Sequence, residues 1–107
     1  MGYFEIKKKK DGQILLNLKA NNGILILTSE GFSDEDTCLA NVEEVKKNAA
    51  NNARYEIKET ADRKFYFDLK TESGVVVGKS EIYVTKAAAG RGVDAVKRNA
   101  PHAYLKE

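Results

Sequence analysis

FEIKKKKDGQILLNLKANNGILILTSEGF, residues 4–32, returns 51 positions later as YEIKETADRKFYFDLKTESGVVVGKSEIY, residues 55–83. The two stretches align without a gap, and the alignment continues to residues 49 and 100 with 14 identical pairs. Unrelated segments of that length share roughly three identities at ordinary amino-acid frequencies. The chain is therefore a tandem duplication, which we divide into repeats 3–52 and 53–107 of one domain, 1–107.

Each repeat has the pattern of three strands followed by a helix. Apolar and polar residues alternate along Ile14–Lys19, as in a half-buried strand, and Asn21-Asn22-Gly23 is a strong hairpin signal. After Phe32 the apolar residues recur every three or four positions, which is the period of a helix that buries one face. The second repeat shows the same change of period, and its helix is predicted to begin after Thr85.

A repeat of about 50 residues buries too little surface to fold alone. The sequence therefore predicts an α+β fold, in which two tandem β-β-β-α repeats form a single antiparallel sheet with both helices packed on one face. The segment Ala103–Leu105 is expected to add a short C-terminal edge strand. Gly90 and Gly92 are expected to weaken the second helix by about 1 kcal/mol each relative to alanine.

Composition narrows the classes of function. The formal net charge is +2, which disfavours nucleic acid and a membrane surface as partners. A single cysteine allows no disulfide within the chain and no zinc site made of several cysteines. The longest apolar run, residues 24–27, is far shorter than a membrane span, so a cytoplasmic protein is expected.

The sequence offers no set of residues for catalysis. His102 is the only histidine and lies next to Pro101 near the C-terminus, while Cys38 aligns with an alanine in the second repeat. Neither has a partner residue at a spacing typical of acid–base or nucleophilic chemistry. Asp34, Glu35 and Asp36 are consecutive, which does not suit a calcium loop. We therefore predict no catalytic residue, no metal site, no cofactor and a protein that is not an enzyme.

Ser29-Glu30 and Ser80-Glu81 lie at the same strand-to-helix corner of the two repeats. Adjacent residues of a strand point to opposite faces, so the pair does not form a catalytic dyad. We predict that the serines bind local backbone and that the glutamates pair with a Lys or Arg on a neighbouring element. A pair of equivalent ligand sites at the two corners is the alternative.

The face of the sheet that the helices leave uncovered is the candidate contact surface. If Ile14, Leu16 and Leu18 face the helices, then Leu15, Leu25 and Leu27 form an apolar patch on the opposite face, and Tyr66 lies on it as well. The main hypothesis is a non-catalytic interaction module with a protein partner or a second copy at this face. The alternative is weak nucleic-acid binding through its tyrosines and lysines.

The repeated motif also resembles a known family. Its distinctive residues are the hairpin glycines, the two Ser-Glu pairs and the helix pattern Val-x-x-Val-Lys-x-Asn-Ala, which occurs at residues 42–49 and 93–100. In these features the chain is similar to the YegP-like family of small bacterial proteins, and the similarity runs over nearly the whole length. The resemblance implies a single sheet built from two three-strand-plus-helix units, and it implies no established activity. Asn41 in place of Gly92 leaves the shape of the first helix open.

Overall fold

The structure is a computed structural model that describes residues 2–106. Its helices and strands follow the chain in the predicted order, with a single turn of 3-10 helix after each α-helix at Asn52–Arg54 and Ala100–His102. The elements are β1 (Tyr3–Lys8), β2 (Ile14–Lys19), β3 (Leu25–Thr28), α1 (Glu35–Ala49), β4 (Tyr55–Glu59), β5 (Phe65–Lys70), β6 (Val76–Lys79), α2 (Lys86–Asn99) and β7 (Tyr104–Lys106).

All seven strands belong to one sheet, in the order β4-β5-β6-β3-β2-β1-β7. The two repeats meet at its centre, where β3 and β6 run antiparallel and pair at Thr28 and Lys79. These two residues align with each other in the duplication, so an approximate two-fold axis passes between them. The predicted α+β fold, with a single sheet shared by the repeats, is confirmed.

The sheet is mixed, and the prediction of a purely antiparallel sheet is wrong at one edge. β7 pairs in parallel with β1, with Tyr104 opposite Tyr3 and Lys106 opposite Glu5. The cause is the connection: β7 follows α2 and returns to the far edge of the first repeat, where it lies in the same direction as β1. The tail of the second repeat thereby covers the edge of the first.

The helices begin where the sequence places capping side chains. The Asp34 carboxylate accepts the backbone N–H of Thr37 at 2.8 Å, and the Thr85 hydroxyl accepts that of Ala88 at 3.0 Å. Both caps satisfy donors that the first helical turn leaves without partners. Hydrogen bonds from the backbone and hydroxyl of Thr37 lower the pKa of Asp34 below its ordinary value.

The core lies between the helices and one face of the sheet. Phe4, Leu18, Phe67 and Leu69 come from the strands and are almost fully buried, together with Val45 and Val96 from the helices. Each helix contacts strands of both repeats, since α1 lies against β2, β5 and β6 and α2 against β3, β4 and β5. The two halves therefore share one core, which explains why neither is expected to fold alone.

A bulge in β3 changes which leucines belong to this core. Leu27 pairs with the buried Leu18, whereas Leu25 pairs with the next β2 residue, Lys19, so Ile26 is an extra residue in the ladder. The extra residue places Leu25 and Leu27 on opposite faces of the sheet, although they are two positions apart. The prediction that Leu27 lies on the uncovered face is therefore wrong: it is 3% exposed and packs in the core. The same shift recurs in β6, between Gly78 and Val76.

Candidate binding face of the sheet

The face of the sheet opposite the helices, called the outer face below, carries a continuous row of polar residues. The pairing registers join one residue from each of six strands across the centre of the sheet. The row runs Glu5, Asn17, Thr28, Lys79, Asp68 and Glu56. Because side chains alternate along a strand, residues two positions away in β1, β2, β4 and β5 lie on the same face. In β3 and β6 the bulge lengthens this spacing to three positions, so Leu25 and Val76 are the next outer-face residues there.

Positive charge is concentrated on this face. By strand register, the outer face holds three carboxylates, all in the central row, and six lysines. The whole chain has a net charge of only +2, so the excess of lysine on the outer face is larger than that of the molecule. The six lysines are Lys7, Lys19, Lys58, Lys70, Lys79 and Lys106.

An ion pair between β1 and β2 is repeated between β4 and β5. Lys19 lies 2.8 Å from the Glu5 carboxylate, and Lys70 contacts Glu56 at the equivalent place in the second repeat. The hydrogen bond from each lysine is the main reason that the pKa of Glu5 and of Glu56 lies below its ordinary value. Because the pair occurs at the same place in both repeats, it indicates a role in fixing the register of β1 with β2 and of β4 with β5. Exposed ion pairs of this kind contribute little stability.

Asp68 is the exception among the acidic residues of the row, because it is buried. It is 2% exposed, and one carboxylate oxygen lies 2.9 Å from the Lys58 ammonium. The other oxygen, Oδ1, is the only buried side-chain nitrogen or oxygen in residues 2–106 without a hydrogen-bond partner. The ion pair with Asp68 raises the pKa of Lys58 above its ordinary value.

Three tyrosines lie on the outer face, and two of their rings are in contact with lysines. The Lys79 ammonium is 5.1 Å from the centre of the Tyr66 ring, and the Lys106 ammonium is 5.0 Å from that of Tyr3. Tyr104 packs beside Tyr3 at a centroid distance of 5.9 Å and is 58% exposed. Each half of the face therefore has an aromatic ring adjacent to a cation that carries no ion pair within residues 2–106.

The predicted contact residues are only partly brought together. Leu15 and Leu25 lie on the outer face by register and are half-buried, and Tyr66 lies there too. Leu27 is absent from the face because of the β3 bulge. The outer face therefore lacks the three-leucine patch that the sequence predicts. Sequence reasoning missed Lys79 and Tyr104. It placed Asp68 on this face without proposing it as a site residue, although its alignment with the uncharged Asn17 was a signal for doing so.

The serines of the two corners bind backbone groups in the same way. The Ser29 hydroxyl accepts the N–H of Leu16 at 2.9 Å and donates to the carbonyl of Glu30, and the Ser80 hydroxyl bonds Phe67 and Glu81 equivalently. The backbone amides of both serines also donate to β2 and β5. Each hydroxyl thus takes the place of a backbone carbonyl in the ladder where the chain leaves the sheet.

The glutamates of the corners are exposed, and the predicted ion pairs are not formed. Across residues 2–106, the salt bridges include neither Glu30 nor Glu81. The reason is geometric: the serine turns inward to the ladder, so the next side chain points to solvent. Of the two corner residues, the serine rather than the glutamate is therefore the one expected to contribute to stability.

Other candidate groups lie away from the outer face. Cys38 is fully buried, and burial raises the pKa of its thiol, while His102 is exposed. No cluster of three metal-binding side chains occurs in the described part of the chain. No helix within it is long and apolar enough to span a membrane. A cavity of about 760 Å³ forms an open groove, lined mainly by polar residues, between the C-terminal half of α1 and the β5–β6 hairpin.

The fold and its outer face define a class of protein, a two-repeat α+β sheet with one face uncovered. The family model described as "Domain of unknown function (DUF1508)" matches residues 9–56 and 61–107, and the chain belongs to this family, also called UPF0339. The resemblance to YegP-like proteins is thereby confirmed.

Relatives match along nearly the whole chain. A UPF0339 protein from the ptx operon 5′ region of Stutzerimonas stutzeri is 47% identical, with 99% of this chain and 96% of that protein covered. UPF0339 protein YegP of Escherichia coli strain K12 is 35% identical over 99% of this chain and 96% of its own.

Solved structures show the same fold. The solution NMR structure of yegP from E. coli, titled a protein of unknown function, superposes with a TM-score of 0.91 at 35% identity. The match covers 98% of this chain and 90% of the yegP chain. The solution NMR structure of a UPF0339 protein from Shewanella oneidensis gives the same TM-score at 32% identity, with 98% and 89% covered. None of these names states an enzymatic activity.

Proposed function

We propose that this protein is a non-catalytic binding module whose ligand lies across the outer face, and that the ligand is single-stranded nucleic acid. The observation that carries the proposal is the presence of six lysines and three tyrosines on the one sheet face that no helix covers. A net charge of +2 disfavours nucleic acid when charge is averaged over the chain. On the outer face alone, lysines outnumber carboxylates by six to three, and this local positive charge favours a negatively charged ligand.

The chemistry of the face matches what a flexible strand needs. Bases stack on aromatic rings without regard to sequence, and phosphates bind nearby cations. Tyr3 and Tyr66 lie in opposite halves of the sheet, each beside a lysine that pairs with no carboxylate in residues 2–106. A base that stacks on either ring displaces the lysine from the ring and leaves its ammonium close to the adjoining phosphate.

The outer-face lysines that pair with no carboxylate are the ones expected to bind phosphate, and their number sets the salt dependence of binding. Lys19, Lys58 and Lys70 are already paired with carboxylates, so Lys7, Lys79 and Lys106 are the phosphate contacts. Three contacts to a single strand give a slope of about −2 for log affinity against log salt concentration. Affinity should then fall by roughly twentyfold when salt is raised from about 50 to about 200 mM.

The test is fluorescence anisotropy with labelled ten-nucleotide RNA and DNA strands made only of U or T. Lys79→Ala and Lys106→Ala should each weaken binding and reduce the salt slope by about 0.7. Lys47→Ala is the matched control, because Lys47 is an exposed lysine on α1, in the layer on the other side of the sheet. Absence of salt-sensitive binding, or an equal loss in the control, would refute the proposal.

Self-association through the same face is the second candidate. It is favoured by Leu25 and Val76, two half-buried apolar residues of the outer face that are equivalent in the duplication. Sedimentation of the wild type and of Leu25→Lys tests it. A dimer that Leu25→Lys dissociates supports self-association, and a monomer in both samples contradicts it.

A further inference from the structure

We infer that the second repeat holds a base-reading site, at which Asp68 accepts hydrogen bonds from guanine stacked on Tyr66. This inference rests on the proposed function and adds a sequence preference to it. The observation behind it is Asp68 Oδ1, which is buried without a partner although the rest of the outer face is satisfied or solvated.

An unpartnered carboxylate oxygen is costly in a folded protein. Burial removes water from the oxygen, and a missing hydrogen bond to a charged group costs more than one to a neutral group. Native structures therefore contain few such atoms, and each calls for a reason such as a ligand. Lys58 lies 2.9 Å from Oδ2, so Oδ1 is the oxygen of Asp68 that remains as an acceptor.

The first repeat shows the same position without such an acceptor. Asn17 aligns with Asp68, and its amide oxygen accepts the Thr28 hydroxyl at 2.6 Å. Two neighbouring positions differ as well: leucine and threonine of the first repeat are replaced by Tyr66 and Lys79 in the second. The second repeat has therefore gained a charged acceptor, an aromatic ring and a cation at adjoining places on one face.

Lys79 controls access to this site. Its Cα lies opposite that of Asp68 in the β5–β6 ladder, while its ammonium reaches the Tyr66 ring, 5.1 Å from the centre. The side chain thus extends from beside Asp68 towards Tyr66. When the ammonium moves to a phosphate, the ring and the carboxylate beside it become available to a base.

Guanine is the base that fits a carboxylate acceptor best. Its Watson–Crick edge places two donors side by side, N1–H and the N2 amine, and single-stranded bases are read on this edge. Uracil has one donor between two carbonyl oxygens, which a carboxylate repels. Adenine and cytosine each have an amine beside an acceptor nitrogen, so they should bind more weakly than guanine.

The experiment compares anisotropy-measured affinities for a ten-nucleotide U strand and for strands with one central G, A or inosine. Wild type should bind the G strand about tenfold more tightly than the U strand, since a hydrogen bond to a charged group has roughly that effect. Inosine lacks the N2 amine and should bind at an intermediate level. Equal affinity for the G and U strands would overturn the inference while leaving the proposed function intact.

Two variants assign the preference to its residues. Asp68→Asn introduces the residue of the first repeat and should remove the preference for G, so that the variant binds the G and U strands with equal affinity. Lys79→Thr, also a first-repeat residue, should weaken binding to both strands and keep the preference. A G preference that survives in Asp68→Asn overturns the inference. Salt-insensitive or absent binding to every strand overturns the proposed function as well, so the two failures are distinguishable.

Discussion

Gly92→Ala adds a methyl group to α2 at a place that the Tyr83 side chain occupies. A Cβ at this position would lie 2.4 Å from the Tyr83 hydroxyl and 2.7 Å from Cζ, and 3.0 Å from the Phe67 ring. The Tyr83 ring has little room to move away, because it stacks on buried Phe67 with an interplanar angle of 9°. The substitution therefore forces a shift in a packed pair of rings.

The same substitution two residues earlier meets no obstacle. Around Gly90, no atom lies within 4 Å of an added Cβ, so Gly90→Ala gains the helix propensity of alanine, about 1 kcal/mol. Gly92→Ala gains the same propensity and loses about 1–3 kcal/mol to overpacking. The difference in unfolding free energy between the two variants is therefore about 1–3 kcal/mol, with Gly90→Ala the more stable.

Urea denaturation of the wild type and both variants measures this difference, and the midpoint should rise for Gly90→Ala. Far-ultraviolet circular dichroism checks that helix content is kept. A Gly92→Ala protein as stable as Gly90→Ala would refute the reasoning, because it would mean that propensity rather than the Tyr83 contact governs this position.

A double substitution tests the contact itself. The first repeat has Asn41 and Phe32 at the positions of Gly92 and Tyr83, and the Asn41 amide donates to the carbonyl of Val77 at 2.9 Å. Gly92→Asn should destabilise the protein, and adding Tyr83→Phe should restore part of the loss by removing the closest atom. The two changes should thus be non-additive in a double-mutant cycle.

Three further predictions concern the corners, the helix cap and a strained turn. Ser80→Ala should lower the unfolding free energy by about 1–3 kcal/mol in thermal melts, because it leaves the buried N–H of Phe67 without its acceptor. The control is Ser33→Ala: Ser33 is exposed, so its loss should change the unfolding free energy by less than about 0.5 kcal/mol. Because the pKa of Asp34 is lowered in the folded state, its carboxylate stabilises the fold above the unfolded-state pKa. This contribution is lost as pH falls through the folded-state pKa. Asp34→Asn should therefore show a flatter dependence of unfolding free energy on pH below about pH 4, measured by urea titrations. Arg63 has a φ of 63°, which L side chains rarely adopt, so Arg63→Gly should hold or raise the melting temperature, and a clear drop would contradict the strain argument.

The tandem duplication accounts for how much of the fold can be predicted. Period-two alternation, the hairpin glycines and the change of period after Phe32 each occur twice, so the strands and helices follow from local pattern. The capping residue Thr85 and the left-handed Gly23 and Gly74, with φ of 83° and 93°, are local features of the same kind.

Sequence patterns did not determine which side chains share a face. The extra residue in β3 places Leu25 and Leu27 on opposite faces of the sheet, and nothing in the alternation of apolar residues marks the bulge. The direction of β7 depends on where α2 ends relative to β1, a relation between segments about 100 residues apart. Face and direction are set by pairing with distant strands, so local sequence does not report them.

The outer face shows the same division between sequence and tertiary structure. The sequence by itself determined the duplication, the order of strands and helices, and the backbone role of the Ser29 and Ser80 hydroxyls, because each depends on residues close in the chain. Only the tertiary structure decided that Asp68 is buried with an unpartnered oxygen and that Gly92 makes room for Tyr83. Burial and steric contact depend on how elements distant in the chain pack against one another, so they are defined only in the folded protein.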